Sequence, residues 1–134
     1  MSFQDDIRKI VQSAIEGKEE RRRSIERTKE EWSKVRDLIV KPRMDNASVV
    51  LNEQGISSSC GRANGNSYEL TIGAALASPD HKLSFTLDAV RGKIVCDSSE
   101  VDLRERYDSI NTLTADEVED KVKEFLVLVV PSCV

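Results

Sequence analysis

The sequence predicts an α+β fold with a long N-terminal helix, an antiparallel meander sheet of four to five strands, and a C-terminal amphipathic helix packed on one sheet face. Three observations support this prediction. Apolar residues repeat every seven positions before residue 40, alternate with polar residues between residues 68 and 96, and return to a helical spacing after residue 117. A chain of 134 residues has a typical length for one domain, so we expect a single domain over residues 1–134.

The first predicted element is a helix over residues 3–40. Ser2 can accept a hydrogen bond from the first turn, and the carboxylates of Asp5 and Asp6 suit the positive end of a helix. We expect the helix to end before Pro42, because the residue that precedes a proline is disfavoured in the helical conformation.

The apolar repeat of this helix has two rows. One row holds Val11, Lys18, Ile25, Trp32 and Ile39, and the other holds Ile7, Ala14, Arg21, Thr28 and Val35. Gly17 leaves open a break into two helices, but the repeat keeps its phase across it, which favours one continuous helix. Thirty-eight helical residues span roughly 57 Å, whereas a compact domain of this size is about 36 Å across. The helix is therefore expected to extend beyond its own domain.

The sheet is predicted within residues 44–110. Its first strand is expected at residues 47–53, followed by a loop at residues 57–67 in which Asn64-Gly65 is a hairpin-turn signal.

Three further strand patterns follow in the predicted sheet. Alternating apolar residues predict a strand with Tyr68, Leu70, Ile72, Ala74 and Leu76, and another with Leu83, Phe85, Leu87 and Ala89. After the Arg91-Gly92 turn, residues 93–96 form the next strand. Residues 100–108 fit an edge strand or a helix, and this choice stays open.

The last predicted element is a helix over residues 114–130. Thr114 and Glu117 have the spacing of a capping box, in which each side chain bonds the other residue's backbone amide. The stripe that we expect to pack on the sheet holds Val118, Val122, Phe125, Leu126 and Val129.

The charges and cysteines exclude several classes of protein. Residues 1–43 hold 12 Lys+Arg and 9 Asp+Glu, and the rest of the chain holds 8 and 15, so the net charge is −4. An ordinary nucleic-acid-binding protein carries a stronger basic bias. The three cysteines lack metal-binding spacing, and an odd number without a signal peptide predicts a reducing, cytoplasmic location. The longest apolar run, residues 125–130, is too short for a membrane span.

The sequence predicts no catalytic, cofactor-binding or metal-binding residues. His81 is the only histidine and is expected in an exposed turn. Gly61 and Gly65 around Arg62 lack the spacing of a phosphate-binding loop. The acidic residues near the last strands lack calcium-loop spacing; they are Asp97, Glu100, Asp102 and Asp108.

Function is therefore expected to reside in the N-terminal helix. We expect a small intracellular interaction or adaptor module without catalytic activity, which forms a homodimer or docks a protein partner. The candidate contact residues are Arg21, Arg22, Ile25 and Trp32, chosen for the arginine run and for the large aromatic on the apolar row. The alternative is a nucleic-acid-binding protein that uses the same helix, and a third hypothesis is a small-molecule-binding protein or enzyme.

Overall fold

The computed structural model describes residues 2–73, 81–99 and 103–133. It has the predicted α+β fold, with a long N-terminal helix, a five-stranded antiparallel sheet and a C-terminal helix. The helical elements are α1 (Phe3–Val35), a π turn (Arg36–Val40), α2 (Lys41–Glu53), a 3₁₀ turn (Ile110–Thr112) and α3 (Ala115–Cys133). The strands are β1 (Ser58–Gly61), β2 (Ser67–Ile72), β3 (His81–Asp88), β4 (Lys93–Ser98) and β5 (Arg104–Tyr107). The division of the chain into one domain stays a prediction.

The N-terminal helix is longer than predicted. It begins as expected, with the Ser2 hydroxyl accepting the Asp5 amide at 3.2 Å, and it passes Gly17 without a break. The predicted end before Pro42 is wrong, because the π turn leads directly into α2. The strand predicted at residues 47–53 is also wrong, since these residues belong to α2.

The π turn keeps one side of the helix against the core. Buried positions recur every four residues, at Trp32, Arg36, Val40, Met44 and Ser48. In a regular α-helix each step of four residues rotates this row by about 40°. The π turn is wound more loosely, with the Lys41 amide donating to the Arg36 carbonyl five residues earlier, and it compensates part of that rotation.

The π turn also accommodates Pro42. In a regular helix the missing amide of a proline leaves the carbonyl four residues earlier without its donor, and the proline ring collides with that carbonyl. Here that carbonyl belongs to Leu38, and it accepts a hydrogen bond from Nη1 of Arg43 at 3.2 Å. A side chain therefore replaces the backbone donor that proline lacks.

The sheet is a simple antiparallel meander in the order β1-β2-β3-β4-β5. The predicted alternation is confirmed in the described part of the strands, where Leu70 pairs with Leu83 and Phe85 pairs with Cys96. The structure adds β1, which lies inside the predicted loop, and the Asn64-Gly65 turn connects β1 to β2. Residues 100–102 and the predicted strand positions Ala74 and Leu76 lie outside the described residues.

The open choice at residues 103–108 is resolved as an edge strand, since β5 pairs antiparallel with β4. Leu103 precedes β5 and is buried, as is Tyr107 at its end. The three charged residues between them are exposed. The charged edge thus fits the prediction that this strand is protected against further pairing.

The apolar face of the sheet is covered by helices. The capping box of α3 is confirmed, with the Thr114 hydroxyl accepting the Glu117 amide at 3.2 Å and Glu117 accepting the Thr114 amide at 3.2 Å. Helix α3 contributes four buried residues to the core, Val118, Val122, Phe125 and Val129. Among the described residues, none of the helices combines the length and the apolar character that a membrane crossing requires.

Candidate interaction surface

The N-terminal part of α1 extends away from the core. We call residues 3–31 the arm, because none of them is buried and Trp32 is the first buried residue of the described chain. At 1.5 Å per residue the arm is about 43 Å long. We call the described chain from Trp32 onwards the body. Helix α1 contacts the body at the π turn and at the 3₁₀ turn near Ile110. The sequence-based expectation of an overhanging helix is therefore met by the geometry of this helix.

One side of the arm exposes large apolar side chains. They are Phe3 (79% exposed), Ile7 (44%), Ile10 (69%), Val11 (51%) and Ile15 (56%), and we call them the apolar stripe. At 100° per residue they lie within an arc of about 140°. Trp32 lies on this same side of the helix. The side that packs against the core at Trp32 is therefore the side that carries exposed apolar residues along the arm. Water-exposed apolar residues aligned in this way are typical of a surface that binds another protein.

The stripe is followed by a cationic segment on the same side of the helix. By the same rotation, Lys18, Arg21 and Arg22 lie between the stripe and Ile25. The Arg21 Nε atom donates to the Gly17 carbonyl at 3.3 Å, so this side chain lies along its own helix. The arm nevertheless holds eight Lys+Arg and eight Asp+Glu in total, which gives a net charge of zero.

The structure brings three of the four candidate contact residues to one accessible side. Arg21 and Arg22 are exposed, and Ile25 is half-buried. Trp32 is fully buried, so its side chain belongs to the core of its own chain, and its indole N–H has no acceptor among the described residues. In this conformation Trp32 is not accessible to a partner.

Sequence reasoning did not select the residues of the apolar stripe as contacts. Ile7 and Val11 were recognised as part of the seven-residue repeat, and Phe3, Ile10 and Ile15 flank that repeat. The available signal was the breadth of this apolar side, which is wider than a strict seven-residue seam. What the sequence lacked was any indication that the body ends near residue 32.

A second group of polar residues lies where α2 meets the sheet. Asp45 accepts hydrogen bonds from the Tyr68 hydroxyl and, at 3.1 Å, from the Lys41 ammonium. The Lys41 ammonium also lies 5.7 Å from the centre of the Tyr68 ring. On the neighbouring turn, the Ser48 hydroxyl is 2.8 Å from the Ser58 hydroxyl. These bonds join α2 to β1 and β2.

The pKa values of this group are set by burial and by the Asp45 carboxylate. Burial and the neighbouring Asp45 carboxylate raise the pKa of the Cys60 thiol to about 12, so it stays protonated near neutral pH and is a weak nucleophile. Burial also raises the pKa of Tyr68, with a further contribution from Asp45. Burial alone would raise the pKa of Asp45, but the hydrogen bonds from Tyr68 and Lys41 outweigh it and lower the pKa. The group is best explained as a structural link.

A similar link joins α3 to the edge strand β5. The Lys121 ammonium is 2.5 Å from a Glu105 carboxylate oxygen and 3.0 Å from a Glu124 carboxylate oxygen. The hydrogen bond to Glu105 raises the pKa of Lys121, which keeps the ammonium charged. The Lys121 side chain is only 15% exposed, whereas both carboxylates are about half exposed, so the pairing links α3 to the edge of the sheet at the surface.

The other predicted positions are dispersed. His81 is half-buried at the start of β3, and neither ring nitrogen has a hydrogen-bond partner within residues 2–73, 81–99 and 103–133. Asp97 is exposed on β4 and Asp108 follows β5, whereas Glu100 and Asp102 lie outside the described residues. Within the described ranges, His, Cys, Asp and Glu residues form no group of three that could hold a metal ion.

An open groove of about 300 Å³ lies between α2 and α3. Its floor includes Ala47, Val50 and Leu126, and Arg43 and Glu119 approach to 3.9 Å at its rim. The groove is shallow and mainly apolar, and it is separate from the arm.

Comparisons of this chain with protein-family models, with curated proteins and with solved structures found no match. Function must therefore be argued from the surface features of the chain itself.

Proposed function

We propose that this chain is a protein–protein interaction module without catalytic activity, and that it self-associates through the arm. The observation that carries the proposal is the apolar stripe, because five large apolar side chains lie in water on one side of a helix that leaves the body. Folded chains rarely keep such aligned apolar surface free. A cytoplasmic location, as the odd number of cysteines predicts, is part of the same proposal.

The free energy available from the stripe is comparable to the cost of self-association. The exposed fractions of its five residues together equal about three whole side chains, and burying one such side chain contributes about 1.5–3 kcal/mol. Two copies that cover each other's stripes therefore gain on the order of 9–18 kcal/mol. Association costs about 4–15 kcal/mol in lost motion and ordering. The balance permits a dimer held by the arms.

The alternative function is nucleic-acid binding by the arm. It is favoured by one observation, the position of Lys18, Arg21 and Arg22 on a single side of the helix. The net charge of zero over the arm weighs against it, since phosphate binding needs a basic surplus. Binding of DNA or RNA that weakens steeply with salt would favour this alternative over self-association.

Light scattering on purified protein tests the proposal. The wild-type chain is expected to show twice the 15.0 kDa mass of one chain, and the double variant Ile10→Glu, Ile15→Glu is expected to show the mass of one chain. Carboxylates at these positions would have to be buried unpaired in the dimer, which is strongly unfavourable. Because Ile10 and Ile15 are both exposed, the variant should keep the circular dichroism of the folded chain.

The control is Gln12→Glu, which adds one carboxylate outside the arc of the apolar stripe and is compared with each single substitution, Ile10→Glu and Ile15→Glu. This control should remain a dimer. A wild-type protein with the mass of one chain at every concentration would overturn the proposal, and so would equal weakening of the dimer by all three substitutions.

A further inference from the structure

We propose that the partner of the arm is a second arm, paired antiparallel about a two-fold axis near Glu16, with Ile7 of one copy against Ile25 of the other. This inference rests on the proposed function and adds the orientation and the register. It follows from the position of the body, the spacing of the seven-residue repeat and the space around Gly17.

The position of the body excludes parallel arms. The apolar stripe and Trp32 lie on one side of the helix, and from Trp32 onwards that side is covered by the chain's own body. In a parallel pair both stripes would face each other, and both bodies would have to fit between the two helices at the same end. In an antiparallel pair the bodies lie at opposite ends. Each arm then occupies the free length of about 43 Å beside the other arm.

The seven-residue repeat then selects a register. In an antiparallel pair, the two rows of the repeat alternate across the seam, so a residue of one row faces a residue of the other row. Pairing Ile7 with the partner's Ile25 aligns the two arms over most of their length. Shifting the pair by seven residues in one direction places Ile7 opposite the buried Trp32, and shifting it in the other direction leaves Ile25 without a partner.

This register places apolar residues opposite the cations of the seam, the line along which the two helices meet. Lys18 faces the partner's Ala14, and Arg21 faces the partner's Val11. Long cationic side chains can lay their methylene groups across such residues while their charges stay in water. Polar residues at seam positions lower the stability of a helix pair but fix its register. The interruption of the apolar rows at Lys18 and Arg21 is accounted for in this way.

The centre of the pair fits the residues at the two-fold axis. On one side of the axis Ile15 meets the partner's Ile15, and on the other side Gly17 meets the partner's Gly17. A methyl group built on Gly17 has no neighbouring side chain or distant backbone within 4 Å, so a second backbone has room to approach there. Ile15 is 56% exposed in the single chain, and the pair covers it.

Cysteine cross-linking tests the orientation. Ile7→Cys and Ile25→Cys proteins are prepared separately and oxidised alone or after mixing, and the products are separated without reductant. The mixture is expected to give a covalent dimer as its main product. Each protein alone should give no more covalent dimer than the wild type, whose native cysteines include the buried Cys96 and the half-buried Cys60 and Cys133.

A charge reversal tests the register independently. The proposed alignment brings Arg8 close to the partner's Arg22, which is an unfavourable pair that occurs twice in the dimer. Arg22→Glu should therefore tighten the dimer by about four- to thirtyfold, whereas Arg22→Lys should leave the dissociation constant unchanged. Both variants alter an exposed side chain, and circular dichroism checks that the body stays folded.

The outcomes separate this inference from the proposed function. A dimer in which Ile7→Cys alone forms the covalent product is parallel and overturns the inference while self-association stands. A dimer weakened by Arg22→Glu overturns the register. A tetramer overturns pairing by two arms alone. Wild-type protein with the mass of one chain removes both the inference and self-association.

Discussion

Deleting Leu38 is expected to turn the π turn into regular α-helix. Leu38 lies within the π turn and is 71% exposed, so its side chain contributes little to the core. In the wild-type chain the buried positions recur every four residues at Trp32, Arg36, Val40, Met44 and Ser48. The deletion shortens one of these steps to three residues. The row then follows the 3.6-residue period of an α-helix, and the core-facing side is kept.

The magnitude of the effect comes from Pro42. In regular α-helix its ring meets the carbonyl four residues earlier, and its missing amide leaves that carbonyl without a donor, which together cost about 3 kcal/mol. In the wild-type chain the π turn and the Arg43 hydrogen bond to Leu38 avoid this cost. The deletion alone should therefore lower the free energy of unfolding by about 3 kcal/mol. Adding Pro42→Ala to the deletion should restore most of that loss.

Urea unfolding followed by circular dichroism measures the effect in four proteins at one protein concentration: wild type, Pro42→Ala, the Leu38 deletion and the combination. Pro42→Ala alone should change stability little, because the π turn already tolerates proline. The two changes should thus be strongly coupled rather than additive.

Two results would refute this reasoning. If the deletion alone leaves the free energy of unfolding unchanged, the π turn is not what accommodates Pro42. If the combined variant is as unstable as the deletion alone, the loss comes from a misaligned core and not from the proline.

Two further predictions concern the links between elements. Asp45→Asn should destabilise the fold by about 1 kcal/mol near neutral pH, since a hydrogen-bonded charge is lost but water screens a carboxylate that is 40% exposed. The pKa of Asp45 is lowered in the folded state. The stability that its charge contributes is therefore present above the unfolded pKa of about 3.9 and is lost as the pH falls through the folded pKa. The melting curves of variant and wild type should thus converge in acid. A constant difference down to low pH would contradict this. Thr114→Ala should lower the free energy of unfolding by about 1 kcal/mol through loss of the helix cap, whereas Thr114→Ser keeps the hydroxyl and should not. Urea unfolding of the wild type and the two variants measures this difference. Equal stability of the three proteins would show that the cap contributes nothing.

The features that sequence predicted well depend on residues close together in the chain. The capping box of Thr114 and Glu117 involves only one turn, and the alternation along β3 is complete within one strand. The geometry of such patterns can be predicted from the sequence, because the interacting groups are neighbours in the chain.

The errors arose where distant contacts outweigh local preference. Residues 47–53 include Val49 and Val50, which favour strands, yet they are helical because Met44, Ser48 and Leu51 form one buried helical row. The strand β1 has only small residues and pairs with β2, whose sequence carries the stronger strand signal. Neither outcome is visible without the partner element.

The candidate interaction surface was predictable in part. The seven-residue repeat and the overhang pointed to the helix that carries the apolar stripe, and Ile25 lies on the same side of that helix as the stripe. The sequence could not distinguish the half of the apolar row that packs on the body from the half that remains in water. Trp32 was therefore selected as a contact although it lies in the core, and Ile10 and Ile15 were passed over.

The order of the sheet has a consequence for how the chain folds. Every strand after β1 pairs with the strand that precedes it, and the backbone hydrogen bonds within the long helix are local. Most of the structure can therefore form from contacts close in sequence, which favours rapid folding. The distant contacts include those of α1 with the 3₁₀ turn near Ile110 and those of α3, whose 19 residues carry Phe125 and Val129 into the core. During synthesis, the part of the apolar face that α3 covers stays open until α3 has emerged, whereas α2 is already present to pack on β1 and β2. Cooperative folding is therefore completed by the last helix, and the preceding sheet depends on it for protection against aggregation.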